Sequence, residues 1–260
     1  PLPAVTCSAQ ATITTGTLPT EHGIVSNGWF FRETGEVRFW MRSDRLVGGD
    51  KVWDAAKIRD AEITVANLFW RFGTHSSCDI VVTERPTYWA SGRKSPDVFT
   101  SPGSLRNELV EKLGDFPLFR FWGPATSIES SQWIAEATRL VMQGHDPDLT
   151  FTYLPHLDYD LQKFGPFSDQ ARAAIREVDG VATRLIEQAR EMGRQVAVLS
   201  EYGMVDVTRP VFLNRSLREH GFITVQQAQN GELLEAGQSR AFAACSHQVA
   251  HVYVRNANDI

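Results

Sequence analysis

The opening of the chain places hydroxyl side chains in a segment predicted to form a helix. Residues 3–16 contain several threonines and a serine, and the helix is expected to end at Gly16, a typical C-terminal cap. Backbone N–H groups and the macrodipole favour an anion at a helix N-terminus, so a hydroxyl there is well placed to attack a phosphoryl group. The alternative is a threonine that only caps the helix.

Two histidines near the end of the chain, His247 and His251, are four residues apart. On a helix they would share one face and could bind one metal ion. Residues 250–254 instead have the composition of a strand, which separates the two imidazoles by about 13 Å at ~3.3 Å per residue. His247, at the entry to that strand, is therefore the better ligand or acid–base residue, and His251 is expected to pack in the strand.

Elements of two kinds must position these side chains. Apolar residues at helical spacing or helix-end residues predict helices over residues 52–57, 104–113, 127–142, 168–192 and 210–221. Short β-branched or aromatic runs predict strands over residues 63–69, 149–154, 196–199, 222–225 and 250–254.

The alternation of these elements predicts an α/β fold with a mainly parallel central sheet flanked by helices. The runs at residues 149–154 and 196–199 are apolar almost throughout, as in strands buried on both faces. Ligands of such sheets bind beyond the carboxyl ends of the strands. A site is therefore expected just after Leu154 and just after Leu199.

Aromatic residues are concentrated early in the chain. All seven tryptophans precede residue 134. An aromatic-rich insertion over about residues 28–125 could form a cap or a substrate wall. A second core or an oligomer interface is the alternative, and the sequence does not choose between them.

Composition excludes several classes of protein. The net charge is −5, which argues against a nucleic-acid polymer as partner. Three widely spaced cysteines form no disulfide framework and suggest a reducing compartment, so we expect a cytoplasmic location. No apolar run approaches the roughly 18 residues of a membrane helix.

Residues 3–24 resemble a known segment in the order of their residues, which is Pro-x-x-Thr-x-x-x-x-x-Thr-x-x-Thr-Gly-x-x-Pro-x-x-His-Gly-Ile. It is similar to the nucleophile segment of type I phosphodiesterases/nucleotide pyrophosphatases, in the alkaline phosphatase superfamily. The resemblance implies that Thr6 is the metal-bound nucleophile. The asparagine that helps to bind phosphate in this family falls at Ala9, and the neighbouring Gln10 is the expected amide donor.

Two later segments resemble the metal-binding loops of the same family. Counted back from Gly165-Pro166, Asp158 takes the place of a metal-binding Asp and Gln162 that of a His. In the strand-end motif Ser-Asp-His-Gly-Met, Glu201 replaces the ligand Asp and Tyr202 the ligand His.

The resemblance also implies a late metal-binding histidine and a set of divalent ions. His247, less surely His251, or a residue beyond the chain would fill the late position, and His156 is a further ligand or phosphate contact. Zinc is the expected ion, yet Gln162 and Tyr202 are poor zinc ligands beside imidazole. Either oxygen-rich ligands hold Mg²⁺, Mn²⁺ or Ca²⁺, or the metal site is lost.

The resemblance implies a metal-dependent hydrolase of phosphate mono- or diesters that acts on a small phosphorylated substrate. The alternatives are a catalytically eroded member that serves as a binding or pathway-partner protein, and a metal-dependent isomerase or mutase. We expect residues 1–260 to be a single alkaline-phosphatase-like domain, truncated at both ends. The sequence predicts no oligomeric state.

Overall fold

The computed structural model describes residues 3–259, which divide into two compact units. One unit combines the chain up to Met41 with the chain from Val207 onward, and the other is Arg42–Asp206. The helices of the described residues are α1 (Thr6–Thr15), α2 (Pro19–His22), α3 (Val52–Arg59), α4 (Ser104–Leu113), α5 (Ile128–His145), α6 (Leu157–Phe164), α7 (Asp169–Glu191) and α8 (Leu213–Glu219). The strands are β1 (Gly28–Phe31), β2 (Glu36–Phe39), β3 (Val65–Leu68), β4 (Ile80–Glu84), β5 (Thr87–Tyr88), β6 (Lys94–Ser95), β7 (Val98–Ser101), β8 (Leu149–Thr152), β9 (Val225–Ala228), β10 (Gly231–Leu234), β11 (Ala241–Ser246) and β12 (Val249–Val254).

A four-stranded sheet in the order β7-β4-β3-β8 organises the unit Arg42–Asp206. The central strand β3 pairs in parallel with β4 and with β8, and β4 pairs antiparallel with β7. The sheet is therefore mixed, with two parallel pairings and one antiparallel pairing. The carboxyl ends of β3, β4 and β8 consequently lie along one edge of the sheet, as expected for parallel strands.

The hydrophobic core of this unit lies on one face of the sheet. Alternation along β3 directs Ala66 and Leu68 to the core, where α4 contributes Leu109 and α5 contributes Ile134. Aromatic rings also pack in this core. The Phe69 ring contacts those of Phe116, Phe121 and Trp133.

Helices and antiparallel hairpins make up the other unit. The pairs β1–β2, β9–β10 and β11–β12 are each two-stranded. The Phe30 ring packs edge-on against Phe242 and Tyr253, with centroids 5.1 and 5.4 Å away, which joins the first hairpin to the last. The Asn214 amide on α8 donates to the Ala243 carbonyl and accepts from the Ala243 N–H, which fixes α8 on β11.

Most of the predicted helices are confirmed. The prediction over residues 104–113 coincides with α4. The predictions over residues 127–142 and 168–192 correspond to α5 and α7, and in both the first predicted residue is a serine whose hydroxyl caps the helix. The prediction over residues 210–221 was too long, since α8 begins only at Leu213.

The strand predicted over residues 196–199 is wrong. These residues have no regular secondary structure, and Val198 and Leu199 are 75% and 62% exposed. An apolar run becomes a strand only when a neighbouring strand accepts its backbone hydrogen bonds. Composition alone does not show whether such a neighbour exists. Among the described residues, no helix is both long enough and apolar enough to cross a membrane.

Candidate functional site

Thr6 is the first residue of α1. The N-cap position belongs to Val5, which is extended and provides no side-chain cap. The alternative expected from the sequence, that the Thr6 hydroxyl only caps the helix, is therefore wrong. The Thr6 side chain is buried, and the next backbone N–H, that of Cys7, donates to Asn27 Oδ1 at 2.9 Å.

Gln10 lies one helical turn after Thr6 on α1. Residues four apart share a helix face, so the amide and the hydroxyl belong to the same side of the helix. Gln10 is completely buried. The helix ends as the sequence predicts, with Gly16 left-handed at φ 69° and its N–H bonded to the Thr12 carbonyl.

The two late histidines lie on different parts of the β11–β12 hairpin. His247 is exposed in the turn between the strands, whereas His251 is on β12 opposite Ala244. The His251 Nε2 is 3.0 Å from the Val25 carbonyl oxygen, so this nitrogen is already occupied. The neighbouring Gln248 donates to the Ala4 carbonyl at 2.9 Å, which brings the hairpin turn to the start of α1.

Asp158 lies in the first turn of α6, just beyond the carboxyl end of β8. One turn later, Gln162 Nε2 donates to Asp158 Oδ2 at 2.9 Å. From a separate part of the chain, the Tyr202 hydroxyl donates to Asp158 Oδ1 at 3.1 Å. The two residues that stand where the resemblance places histidines therefore both bind the same carboxylate.

Tyr153 lies between β8 and α6, directly after the strand. Burial of its hydroxyl raises its pKa well above the ordinary value, and the nearby Glu201, Tyr202 and Asp158 raise it further. The positive charge of Arg71 acts in the opposite direction. Tyr153 therefore stays a neutral phenol.

Sequence reasoning missed an arginine and a glutamate at the same sheet edge. Arg71 follows β3 and Glu84 ends β4; both are buried, with Nη1 and Oε1 2.8 Å apart. Phe69 and Phe72, on either side of the arginine, have φ values of 63° and 62°. Left-handed backbone at such large residues is uncommon and concentrates at functional sites. The available signal was a single arginine among aromatics directly after a buried strand.

His156 has a partner of its own. Its Nε2 lies 2.7 Å from Glu177 Oε2 on α7. This contact joins the start of α6 to α7. It gives His156 a structural role that requires no metal or phosphate ligand.

The described side chains do not fit the zinc centre that the resemblance implies. No group of three or more His, Cys, Asp or Glu side chains placed to hold a metal ion occurs among residues 3–259. Asp158 already accepts a hydrogen bond on each oxygen, and its two donors are an amide and a phenol. Structural and catalytic zinc sites use three or four protein ligands, chiefly imidazole, thiolate and carboxylate.

Known proteins provide an independent comparison. A sequence model of the type I phosphodiesterase/nucleotide pyrophosphatase family matches residues 1–260. An uncharacterized pyrophosphatase/phosphodiesterase of Schizosaccharomyces pombe is 29% identical over 208 residues, which cover 78% of this chain and 36% of the yeast protein. The chain thus spans about a third of that relative.

The fold is also found in a solved enzyme. The crystal structure of the alkaline phosphatase PafA matches 73% of this chain and 51% of its own, with a TM-score of 0.56 and 13% identity. At this identity the match shows the fold alone, an α/β alkaline-phosphatase-like fold with a mixed sheet. Together with the family match over its whole length, this places the chain in the type I phosphodiesterase/nucleotide pyrophosphatase family.

Proposed function

We propose that this chain belongs to an enzyme that hydrolyses phosphate mono- or diesters, with the Thr6 hydroxyl as nucleophile. The observation that carries the proposal is the position of Thr6 as the first helical residue of α1, with Val5 as the N-cap. The family match and the alkaline-phosphatase-like fold support the same reaction class.

The chemistry proceeds in two steps. The Thr6 oxygen attacks phosphorus while the bond from phosphorus to the leaving oxygen breaks, and the proton of the hydroxyl passes through solvent to the departing oxygen, which leaves as an alcohol. Water then attacks the phosphothreonine and releases phosphate or a phosphate monoester, which restores the hydroxyl. The N-terminus of α1 favours the negative charge of the phosphoryl oxygens through its dipole and its N–H groups.

The substrate we propose is a small phosphorylated molecule. The net charge of −5 disfavours a nucleic-acid polymer. Gln10, on the same side of α1 as Thr6, is the proposed amide donor to a phosphoryl oxygen. The assignment of Asp158, Glu201, His247 and His251 as metal ligands stays a prediction, and the contacts of Asp158 and His251 do not favour it.

A second function has one specific observation in its favour. Asp158 is satisfied by Gln162 and Tyr202 within the protein itself. A member of the family that kept the fold but lost a catalytic ligand set would have this feature. Such a protein would bind a phosphorylated ligand without turning it over.

Hydrolysis of p-nitrophenyl phosphate and bis-p-nitrophenyl phosphate tests the proposal, with Zn²⁺, Mn²⁺ or Mg²⁺ supplied in parallel. We expect release of nitrophenol by the wild type and a loss of about 10³-fold or more in Thr6→Ala, because removal of a nucleophile leaves only the binding contributions. Thr20→Ala, at an exposed position of α2, is the matched control and should keep the wild-type rate.

The outcome separates the two functions. Wild-type rates in Thr6→Ala would exclude this nucleophile. Binding of inorganic phosphate without hydrolysis of either ester under any of the three metals would support the non-catalytic function instead.

A further inference from the structure

The carboxylate of Asp158 is held by two side chains from separate segments. Gln162 is on α6 with Asp158, whereas Tyr202 lies beyond α7 in a stretch without regular secondary structure. Their donors reach different oxygens, at 2.9 and 3.1 Å. Contacts from two distant parts of the sequence fix both the position and the orientation of the carboxylate.

Both donors have the wrong chemistry for a transition-metal site. An amide N–H and a phenol O–H donate hydrogen bonds to a carboxylate, while a metal ligand must present a lone pair to the ion. Each donor also occupies a lone pair of Asp158 that a metal ion would otherwise use. Among residues 3–259, no His, Cys, Asp or Glu side chains join Asp158 to make the three or four protein ligands of a zinc site.

We propose that Gln162, Asp158 and Tyr202 form a hydrogen-bonded carboxylate clamp that binds no transition metal and stands where the family places metal ligands. The two donors take the place of an ion, since their hydrogen bonds orient the carboxylate and stabilise its negative charge. This inference does not depend on the proposed function, because it concerns the metal affinity of these side chains.

Histidines at the two donor positions provide the test. Residues 158 and 162 are four apart on α6 and share a face, so the imidazole introduced by Gln162→His would stand beside the carboxylate. The double variant Gln162→His/Tyr202→His would place two imidazoles beside the Asp158 carboxylate, a ligand set of the type that binds zinc. Zinc affinity is measured by competition with a chromogenic chelator on the full chain, without substrate.

The control Gln162→Leu/Tyr202→Phe removes the same hydrogen bonds and adds no imidazole. We expect the histidine double variant to bind zinc about tenfold tighter or more than the wild type, and the control to stay within about twofold of it. Adding Asp158→Asn to the histidine variant should abolish the gain. Circular dichroism and thermal unfolding confirm that each variant is folded.

The wild type and Asp158→Asn also test the inference, even if the histidine variants fail to fold. Stoichiometric zinc binding at micromolar or tighter affinity that is lost in Asp158→Asn would overturn it. Equal weak affinity in the wild type and Asp158→Asn supports it. A hydrolase that is active without zinc would leave the clamp intact, and an inactive protein that binds zinc through Asp158 would refute the clamp alone.

Discussion

The imidazole of His22 is fixed by two partners in the first unit. Its Nδ1 accepts from the Ile24 N–H at 3.0 Å, and its Nε2 lies 3.0 Å from Thr12 Oγ1. Because Nδ1 accepts, the hydrogen-bonded form is the neutral ring with its proton on Nε2. Partners within the protein likewise fix Asp158 and His251, because both Asp158 oxygens and the His251 Nε2 make hydrogen bonds.

Acid should therefore destabilise the protein through His22. Burial lowers its pKa below the ordinary 6.5, so the unfolded chain takes up a proton at a higher pH than the folded one. Stability is then lost as the pH falls through about 6.5. We expect the urea midpoint to drop between about pH 7.5 and about pH 5.5, and to drop less in His22→Asn, whose amide oxygen accepts from Ile24 and does not titrate. An unchanged pH dependence in the variant would contradict this role.

The cysteines differ in access and in reactivity. Burial raises the pKa of the Cys78 thiol to about 12, and Cys7 is also buried, whereas Cys245 is exposed on β11. Since the thiolate is the reactive form, we expect one rapidly labelled thiol in the native protein and three in denaturant, counted with a chromogenic disulfide reagent. Cys245→Ser should remove the fast phase; rapid labelling of Cys78 would contradict the structure.

Among the elements, the carboxyl ends of the parallel strands carry several polar side chains. Arg71 after β3 and Glu84 at the end of β4 form a buried ion pair, and the Thr83 hydroxyl also donates to Glu84. Asp158 and Tyr153 follow β8 at the same edge. This is the edge at which ligands of open α/β sheets bind.

Loss of one partner of the buried pair should cost more than loss of both charges. Arg71→Met leaves the Glu84 carboxylate buried without its principal partner, and we expect the free energy of unfolding to fall by about 3 kcal/mol or more. Arg71→Met/Glu84→Gln should recover part of that loss, as measured by urea unfolding. A double variant less stable than Arg71→Met would contradict the buried-charge explanation.

The elements also show what a sequence is able to predict. Helices α4, α5 and α7 depend on a local signal, the spacing of their apolar residues, and the sequence predicts all three. The run at residues 196–199 has the composition of a strand but depends on a neighbour elsewhere in the chain. In the structure this run pairs with none of the described strands and is exposed, and composition does not report whether a pairing partner exists.

In the candidate site, too, some residues could be found from the sequence and others only from the structure. The resemblance to the family's metal-binding loops singled out Asp158, Gln162 and Tyr202, and the structure joins all three by hydrogen bonds. Arg71 and Glu84 were missed because each lies in a segment without a motif, and only the pairing of β3 with β4 brings them together.

At the scale of the whole molecule, the family match extends over residues 1–260, while the proposed catalytic residues lie in two units. Thr6 and Gln10 belong to the unit that combines both ends of the chain, and Asp158 and Glu201 belong to Arg42–Asp206. The predicted insertion over about residues 28–125 and the single-domain organisation stay predictions. The central claim for the molecule is the covalent role of Thr6.

That claim is tested most directly by acid-quenching the protein during turnover of the ester that it hydrolyses fastest, followed by mass spectrometry of its peptides. We expect a phosphoryl or phosphodiester adduct on the peptide that contains Thr6, located on the threonine hydroxyl. This expectation would be contradicted by an adduct on another side chain, or by wild-type turnover in Thr6→Ala without any adduct.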